Sequence, residues 1–170
     1  MRRLAVALVV VVLALTACAS PRVDHSSAGP APTTTAAGSL LAFTGTTLDG
    51  QPFDGTSLSG KPAVLWFWAP WCPTCLQQAP GVRTAVEQYA GKVAIIGVAG
   101  LDKTEAMPEF VRLAKVPNMI HLADEPGVIW KRFGVTAQST FVLINAAGEV
   151  VAKGPLTAGQ IPERVGALLG

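Results

Sequence analysis

Cys72 and Cys75 stand in Ala69-Pro70-Trp71-Cys72-Pro73-Thr74-Cys75-Leu76, directly behind a continuous apolar run from Ala63 to Ala69. The spacing is open to three chemistries: a redox pair, half of a metal site, or a structural staple. If a helix opens after Cys72, an i, i+3 pair falls on one of its faces. The Cα atoms then lie about 5.5 Å apart, within disulfide range. A helix N-terminus carries roughly half a positive charge and several unpaired N–H groups. A thiolate at Cys72 can accept those bonds, which predicts a pKa in the range of about 3.5–7.5. Pro73 suits the first helical position, where no needed donor is lost. No charged residue occurs between Lys61 and Arg83, so the local sequence offers helix-end stabilisation and no ion pair. On the redox reading Cys72 attacks and Cys75 resolves the mixed disulfide. A zinc site needs about four ligands, yet the chain has no second CxxC and only His121 besides within the domain. A structural disulfide closing so small a loop stabilises little by chain entropy.

The elements that must position this pair follow from the apolar pattern. Leu41 to Thr47 and Gln51 to Phe53, joined through Asp49-Gly50, read as a hairpin. Ala63 to Ala69 reads as a central strand buried on both faces. A helix is expected from Pro73 to Tyr89, a second buried strand from Val93 to Val98, and a helix from Glu105 to Lys115 that Pro108 starts or kinks. Met119 to Leu122 reads as a short strand carrying His121, which is more readily structural than functional, and Gly127 to Phe133 as a short helix. Phe141 to Ile144 and Glu149 to Ala152 pair through Ala146-Ala147-Gly148, and Ile161 to Leu169 closes the chain as a helix. Alternating strands and helices ending in a hairpin predict an α/β domain with a mixed sheet. Trp66, Phe67 and Trp68 belong to its core, whereas Trp71 beside Cys72 is suited to a partly exposed contact surface.

The N-terminus supplies context. Arg2 and Arg3 precede an unbroken apolar run from Leu4 to Leu15, the pattern of an export signal and too short to span a bilayer comfortably. Leu15-Thr16-Ala17-Cys18 resembles the lipobox of bacterial lipoproteins, in which the cysteine is lipidated and becomes the first mature residue. An ordinary signal peptide with a chance cysteine, or an uncleaved anchor, is the alternative. Residues 19–39 are Pro, Ala, Ser, Thr and Gly without an apolar period, and read as a flexible tether in which His25 is inert. The expected organisation is a leader over 1–18, a tether over 19–39 and one domain over 40–170. The 170 residues carry 13 basic and 11 acidic groups, and removing Arg2 and Arg3 leaves 11 against 11. No basic cluster remains, so nucleic acid is not an expected partner. With Cys18 lipidated, the other two cysteines form an even pair outside the cytosol, where a disulfide persists.

Trp68-Ala69-Pro70-Trp71-Cys72-Pro73-Thr74-Cys75 resembles the W-A-x-W-C-x-x-C of thioredoxin-fold proteins, and Pro80 falls where that family has its helix-kinking proline. The likeness continues through Val93 to Gly100 and through Phe133-Gly134-Val135-Thr136 to Ala147-Gly148-Glu149, and covers about Leu41 to Leu169. Through KPAVLWFWAPWCPTC (residues 61–75) and IIGVAGLD (residues 95–102) the chain resembles the extracytoplasmic TlpA/ResA/DsbE group, and within it the actinobacterial DsbF-type lipoproteins. The resemblance implies a thioredoxin fold, a central mixed sheet flanked by helices with an N-terminal β-hairpin extension. It also implies a thiol–disulfide oxidoreductase without a bound cofactor or metal, with Cys72 and Cys75 catalytic and Trp71, Pro73, Thr74, Gln78 and Pro80 supporting them.

Three positions depart from the family pattern. Thioredoxin itself has a buried aspartate where this chain has Trp66, and many TlpA-type proteins have a glutamate where it has Gln78. Both family carboxylates are proposed to accept the buried thiol's proton, and Gln78 cannot titrate. Gln78 is otherwise an ordinary solvent-facing helix residue. The third departure is Ser139, within Ala137-Gln138-Ser139-Thr140-Phe141, at the place of the family's cis-proline. A cis bond before a non-proline costs about 2.5–4 kcal/mol and needs support from its surroundings. The family uses this stretch, here Gln138, Ser139 and Thr140, to pair with substrate as an added strand. Otherwise Ser139 merely begins a strand.

These residues lead to the expectation of a membrane-tethered, monomeric oxidoreductase on the extracytoplasmic face of a Gram-positive or actinobacterial-type envelope. Its expected partners are exported cysteine-containing proteins and a membrane electron-transfer protein. A helix-stabilised Cys72 thiolate favours the reduced form, hence the oxidase direction. The alternatives are a reductase of the cytochrome c maturation type, a Sco-like copper module using Cys72, Cys75 and His121, or a peroxidase. The Sco pattern spaces its cysteines one residue wider. The peroxidase pattern needs a threonine where Ala69 precedes Cys72.

Overall fold

The computed structural model describes residues 40–170. The leader, the tether, Cys18 and His25 lie outside the described residues. The strands are β1 (Thr44–Thr47), β2 (Pro52–Asp54), β3 (Ala63–Trp68), β4 (Ala94–Ala99), β5 (Ile120–Ala123), β6 (Thr140–Ile144) and β7 (Val150–Pro155). The α-helices are α1 (Pro73–Gln88), α2 (Met107–Ala114), α3 (Val128–Arg132) and α4 (Gln160–Gly166).

All seven strands form one sheet in the order β2-β1-β5-β4-β3-β6-β7. β3 pairs parallel with β4 and antiparallel with β6, so the sheet is mixed and β3 is interior. That position explains its composition: every residue of Ala63–Trp68 is fully buried, and a strand covered on both faces needs no polar alternation. Successive side chains still point to opposite faces. Val64, Trp66 and Trp68 join Val82 of α1, Phe110 of α2 and Ile161 of α4 in one core layer. Ala63, Leu65 and Phe67 join Ile129 and Trp130 of α3 and Phe43 of the N-terminal segment in the other. The expected hairpin is therefore no loose appendage. β1 pairs antiparallel with β5 through Thr46–Ala123 and Thr47–Leu122, and so extends the central sheet.

Element ends follow local chemistry. Pro108 lies in the first turn of α2, where it starts the helix, and Lys115 closes that helix in the left-handed region. Asp124 accepts from the backbone N–H groups of Val128 and Trp130 at 2.8 Å each and so anchors the start of α3. β7 runs on to Pro155 beyond the expected end at Ala152. It is an edge strand with a register shift against Leu143/Ile144, the setting in which proline is tolerated in a sheet.

Packing dictates glycine at several positions, two of them on α1 and β4. A Cβ on Gly81 would stand 2.1 Å from the Ala158 carbonyl oxygen, so α1 meets the segment before α4 backbone to backbone. Pro80, one residue earlier, lies inside α1 and donates no helical hydrogen bond, loosening the helix at this contact. A Cβ on Gly97 would stand 2.2 Å from His121 Nδ1 and 2.8 Å from Trp68 Nε1. Both of those atoms are buried without a hydrogen-bond partner.

Candidate active site

Strand β3 ends at Trp68 and α1 begins at Pro73, so the intervening turn sets Cys72 at the N-cap of α1. Cys72 and Cys75 are joined as a disulfide, with their Cα atoms 5.3 Å apart. Cys72 Sγ accepts the backbone N–H of Cys75 at 3.0 Å, a sulfur filling the role that serine or aspartate oxygen fills at other helix starts. Pro73 occupies the first turn and, with Thr74, is exposed. Cys75 is wholly buried, and Cys72 itself is only 2% exposed. The outer sulfur is therefore largely shielded from solvent.

Ser139 lies against both sulfurs. It is buried, and its Oγ lies 3.2 Å from Cys72 Sγ and 3.3 Å from Cys75 Sγ. Its φ is 63°, a left-handed value that proline, locked near −65°, cannot adopt. Ser139 does not begin the following strand, since β6 starts at Thr140. The Thr140 hydroxyl donates to the Ala137 carbonyl at 2.8 Å and tightens the turn, while Gln138 is half-buried.

Gln78 is 2% exposed, so the reading of it as a solvent-facing helix residue is wrong. Its Oε1 accepts from Trp66 Nε1 at 3.0 Å. Its Nε2 donates to the carbonyls of Ser139 at 3.1 Å and Leu156 at 2.9 Å. Both amide hydrogens are used and the oxygen is engaged, as a buried amide requires. Trp66, Gln78 and Ser139, the three departures from the family pattern, thus form one hydrogen-bonded chain that ends on the two sulfurs. The role of Trp66 went unread in the sequence, although a buried indole N–H must find an acceptor.

Trp71 is 53% exposed and donates from Nε1 to the Leu101 carbonyl at 3.2 Å. Leu101, itself half exposed with φ 61°, completes an apolar rim next to Cys72 that the sequence did not disclose. His121 is buried in β5, its Nε2–H donating to the Val116 carbonyl at 2.9 Å. Burial holds its pKa below the usual 6.5, against the opposing pull of that carbonyl. Among the described residues no three His, Cys, Asp or Glu side chains converge as a metal-holding group, so a site made of Cys72, Cys75 and His121 is not formed.

A mixed sheet flanked by helices, with a CxxC disulfide at the N-terminus of the helix that follows the central strand, defines a thioredoxin-fold protein of the dithiol–disulfide class. The chain belongs to the redoxin family, whose model matches residues 27–164. It is 46% identical over 117 residues to the soluble secreted antigen MPT53 of Mycobacterium tuberculosis. That match covers 69% of this chain and 66% of the antigen, just under two thirds of its length. It is 30% identical over 124 residues to the thiol-disulfide oxidoreductase ResA of Bacillus cereus, covering 71% of each. Among solved structures, MTB dsbF in its mixed oxidized and reduced forms superposes with a TM-score of 0.72 at 45% identity, covering 76% of this chain and 96% of the other.

Proposed function

We propose that this chain is an extracytoplasmic thiol–disulfide oxidoreductase that exchanges disulfides with exported cysteine-containing proteins through Cys72 and Cys75. The observation that carries the reading is the Cys72 sulfur at the N-cap of α1, bonded to the Cys75 N–H and joined to Cys75 as a disulfide. In one direction a client thiolate attacks Cys72 Sγ, the Cys72–Cys75 bond breaks and its electron pair goes to Cys75. A second client thiolate then attacks the client sulfur of the mixed disulfide, and Cys72 leaves as thiolate. The client has lost two electrons and the protein has gained them. The exposed Trp71 and Leu101 offer the apolar surface a cysteine-bearing client segment would meet first.

The oxidase direction is favoured by the same geometry. Bonds to a Cys72 thiolate stabilise the reduced form and raise the potential. The neutral side chains of Trp66 and Gln78, where relatives have carboxylates, put no negative charge beside it. A membrane electron-transfer protein would then reoxidise the pair. Lipidation at Cys18 would tether the domain to the outer face of the membrane; the likeness to a soluble secreted antigen supports export and not the anchor. Among the described residues no helix is long and apolar enough to cross a membrane.

The test is the reduction potential of the Cys72–Cys75 pair, with exchange assays of Cys72→Ser and Cys75→Ser. Cys72→Ser should abolish exchange and Cys75→Ser should accumulate mixed disulfides with client proteins. Unchanged exchange in Cys72→Ser would remove its role as nucleophile. A potential near that of thioredoxin, about −270 mV, would assign the reductase direction instead.

A further inference from the structure

We infer that the Ser139 hydroxyl is a catalytic hydrogen-bond donor to the departing thiolate in both halves of the exchange reaction. The inference rests on the redox reading of Cys72 and Cys75 given above.

The geometry is specific. Ser139 Oγ is nearly equidistant from the two sulfurs, 3.2 Å from Cys72 and 3.3 Å from Cys75. In the disulfide neither sulfur carries a proton, so the serine supplies the hydrogen in either contact. Rotation about one side-chain bond then aims the same O–H at either sulfur. When a client thiolate attacks Cys72, the electron pair of the breaking bond collects on Cys75, and the hydroxyl points there. When the second client thiolate breaks the mixed disulfide, the pair collects on Cys72, and the hydroxyl turns to it. The client supplies the two electrons and its thiol protons pass to solvent and to the reduced pair. Ser139 gains and loses no proton.

The donor is held ready before the reaction. Its backbone carbonyl is fixed by Gln78 Nε2 at 3.1 Å, and Gln78 is fixed in turn by Trp66 and Leu156. The residue is buried, so water competes poorly for the hydroxyl, and a donor fixed in a water-poor site is worth more than the same donor in solution. The φ of 63° supports the same conclusion. A non-glycine residue is strained there, and this strain is sustained by the surroundings at the position that faces the sulfurs. The hydrogen bonds made to the two sulfurs come from this hydroxyl and from the Cys75 N–H. The hydroxyl is the one that reaches both.

The experiment uses the reduced protein and Ser139→Ala, which keeps the Cβ and the backbone strain while removing the hydroxyl. Thiolate absorbance against pH reads the Cys72 pKa without any client present. A hydrogen bond to a charged group contributes about 1.5–3 kcal/mol, so the pKa should rise by about one unit or more. Exchange should slow about tenfold, and a tenfold change in the redox equilibrium lowers the potential by about 30 mV. Ser139→Gly relieves the backbone, so it keeps the test alive if the alanine variant folds poorly, and it should shift all three readouts in the same direction. Folded alanine and glycine variants with the parent pKa and exchange rate would overturn the hydroxyl's role while leaving the redox reading intact. A parent protein whose Cys72–Cys75 pair does not cycle at all would overturn the reading beneath it.

Discussion

Gln78 Nε2 donates to the Ser139 carbonyl at 3.1 Å, across 61 residues of sequence. The bond ties the first half of α1 to the turn before β6, and so ties the helix bearing both cysteines to the residue lying over them. A glutamate at this place would put a titratable group there. Here the group is neutral, and two of its three hydrogen bonds need N–H donors.

That requirement predicts the outcome of restoring the carboxylate. Gln78→Glu keeps the shape but loses both donors, and sets an ionised group against the carbonyls of Ser139 and Leu156. Leaving buried polar groups unsatisfied costs about 1–3 kcal/mol each, and more for a charge. The variant should be less stable than the parent by about 2–5 kcal/mol in urea at pH 7. The deficit should shrink at pH 5 as the carboxyl becomes protonated. A variant as stable as the parent at pH 7 would mean that these bonds contribute nothing net.

The oxidase direction carries a stability consequence by linkage. If bonds to a Cys72 thiolate favour the reduced form, the reduced protein should resist denaturant better than the oxidised one at neutral pH. A Cys72 pKa depressed below its unfolded value of about 8.5 gives stability that is lost as pH falls through the folded value. The reduced protein's advantage should therefore decline on acidification. Denaturation of both forms at several pH values checks this, and a reduced form that is the less stable at pH 7 would contradict the oxidase direction.

His121 predicts a second pH effect, independent of the cysteines. Burial lowers its pKa from 6.5, so the fold favours the neutral ring. The stability this represents is complete above 6.5 and is lost as pH falls from there through the folded value. His121→Gln can still donate to the Val116 carbonyl but does not titrate, so it should lack this slope. Asp124 works in the opposite sense, because desolvation raises its pKa above 3.8 despite the N–H bonds it accepts. The difference between parent and variant curves isolates His121, and parallel curves between pH 7 and 5 would rule the effect out.

Gly81→Ala sets two effects of opposite sign against each other. Alanine is favoured over glycine inside a helix by about 1 kcal/mol. Here the added Cβ would lie 2.1 Å from the Ala158 carbonyl oxygen, and the neighbour is backbone that cannot swing aside. Overpacking costs about 1–3 kcal/mol and sometimes more, so the clash should win and the unfolding midpoint should fall. A raised midpoint would show that the segment before α4 yields freely.

The architecture could be read from local signals because those signals were local. Six buried apolar residues in a row made β3, and Pro73 after Cys72 marked the start of α1. The disulfide geometry followed from helical spacing alone. Gln78 was opaque for the opposite reason. Nothing within one turn of it reveals burial, because its acceptors lie 61 and 78 residues further along the chain. The contact between Cys72 and the Ser139 hydroxyl was hidden in the same way, since it spans 67 residues of sequence. β7 was read too short because Gly154 and Pro155 oppose strand formation, and only its place at the margin of the sheet makes them acceptable.

That margin has a consequence for encounters between copies of the molecule. On the proposed function, cysteine-bearing clients would present extended segments able to add to an open sheet. The outer strands here are β2, three residues long and beginning with Pro52, and β7, which carries a register shift, Lys153, Gly154 and Pro155. Short length, proline, charge and irregular register each spoil an edge as a template for further pairing. The N-terminal hairpin adds to this by occupying the side of β5 that would otherwise be exposed. The sheet is thereby made a poor seed for aggregation at both ends.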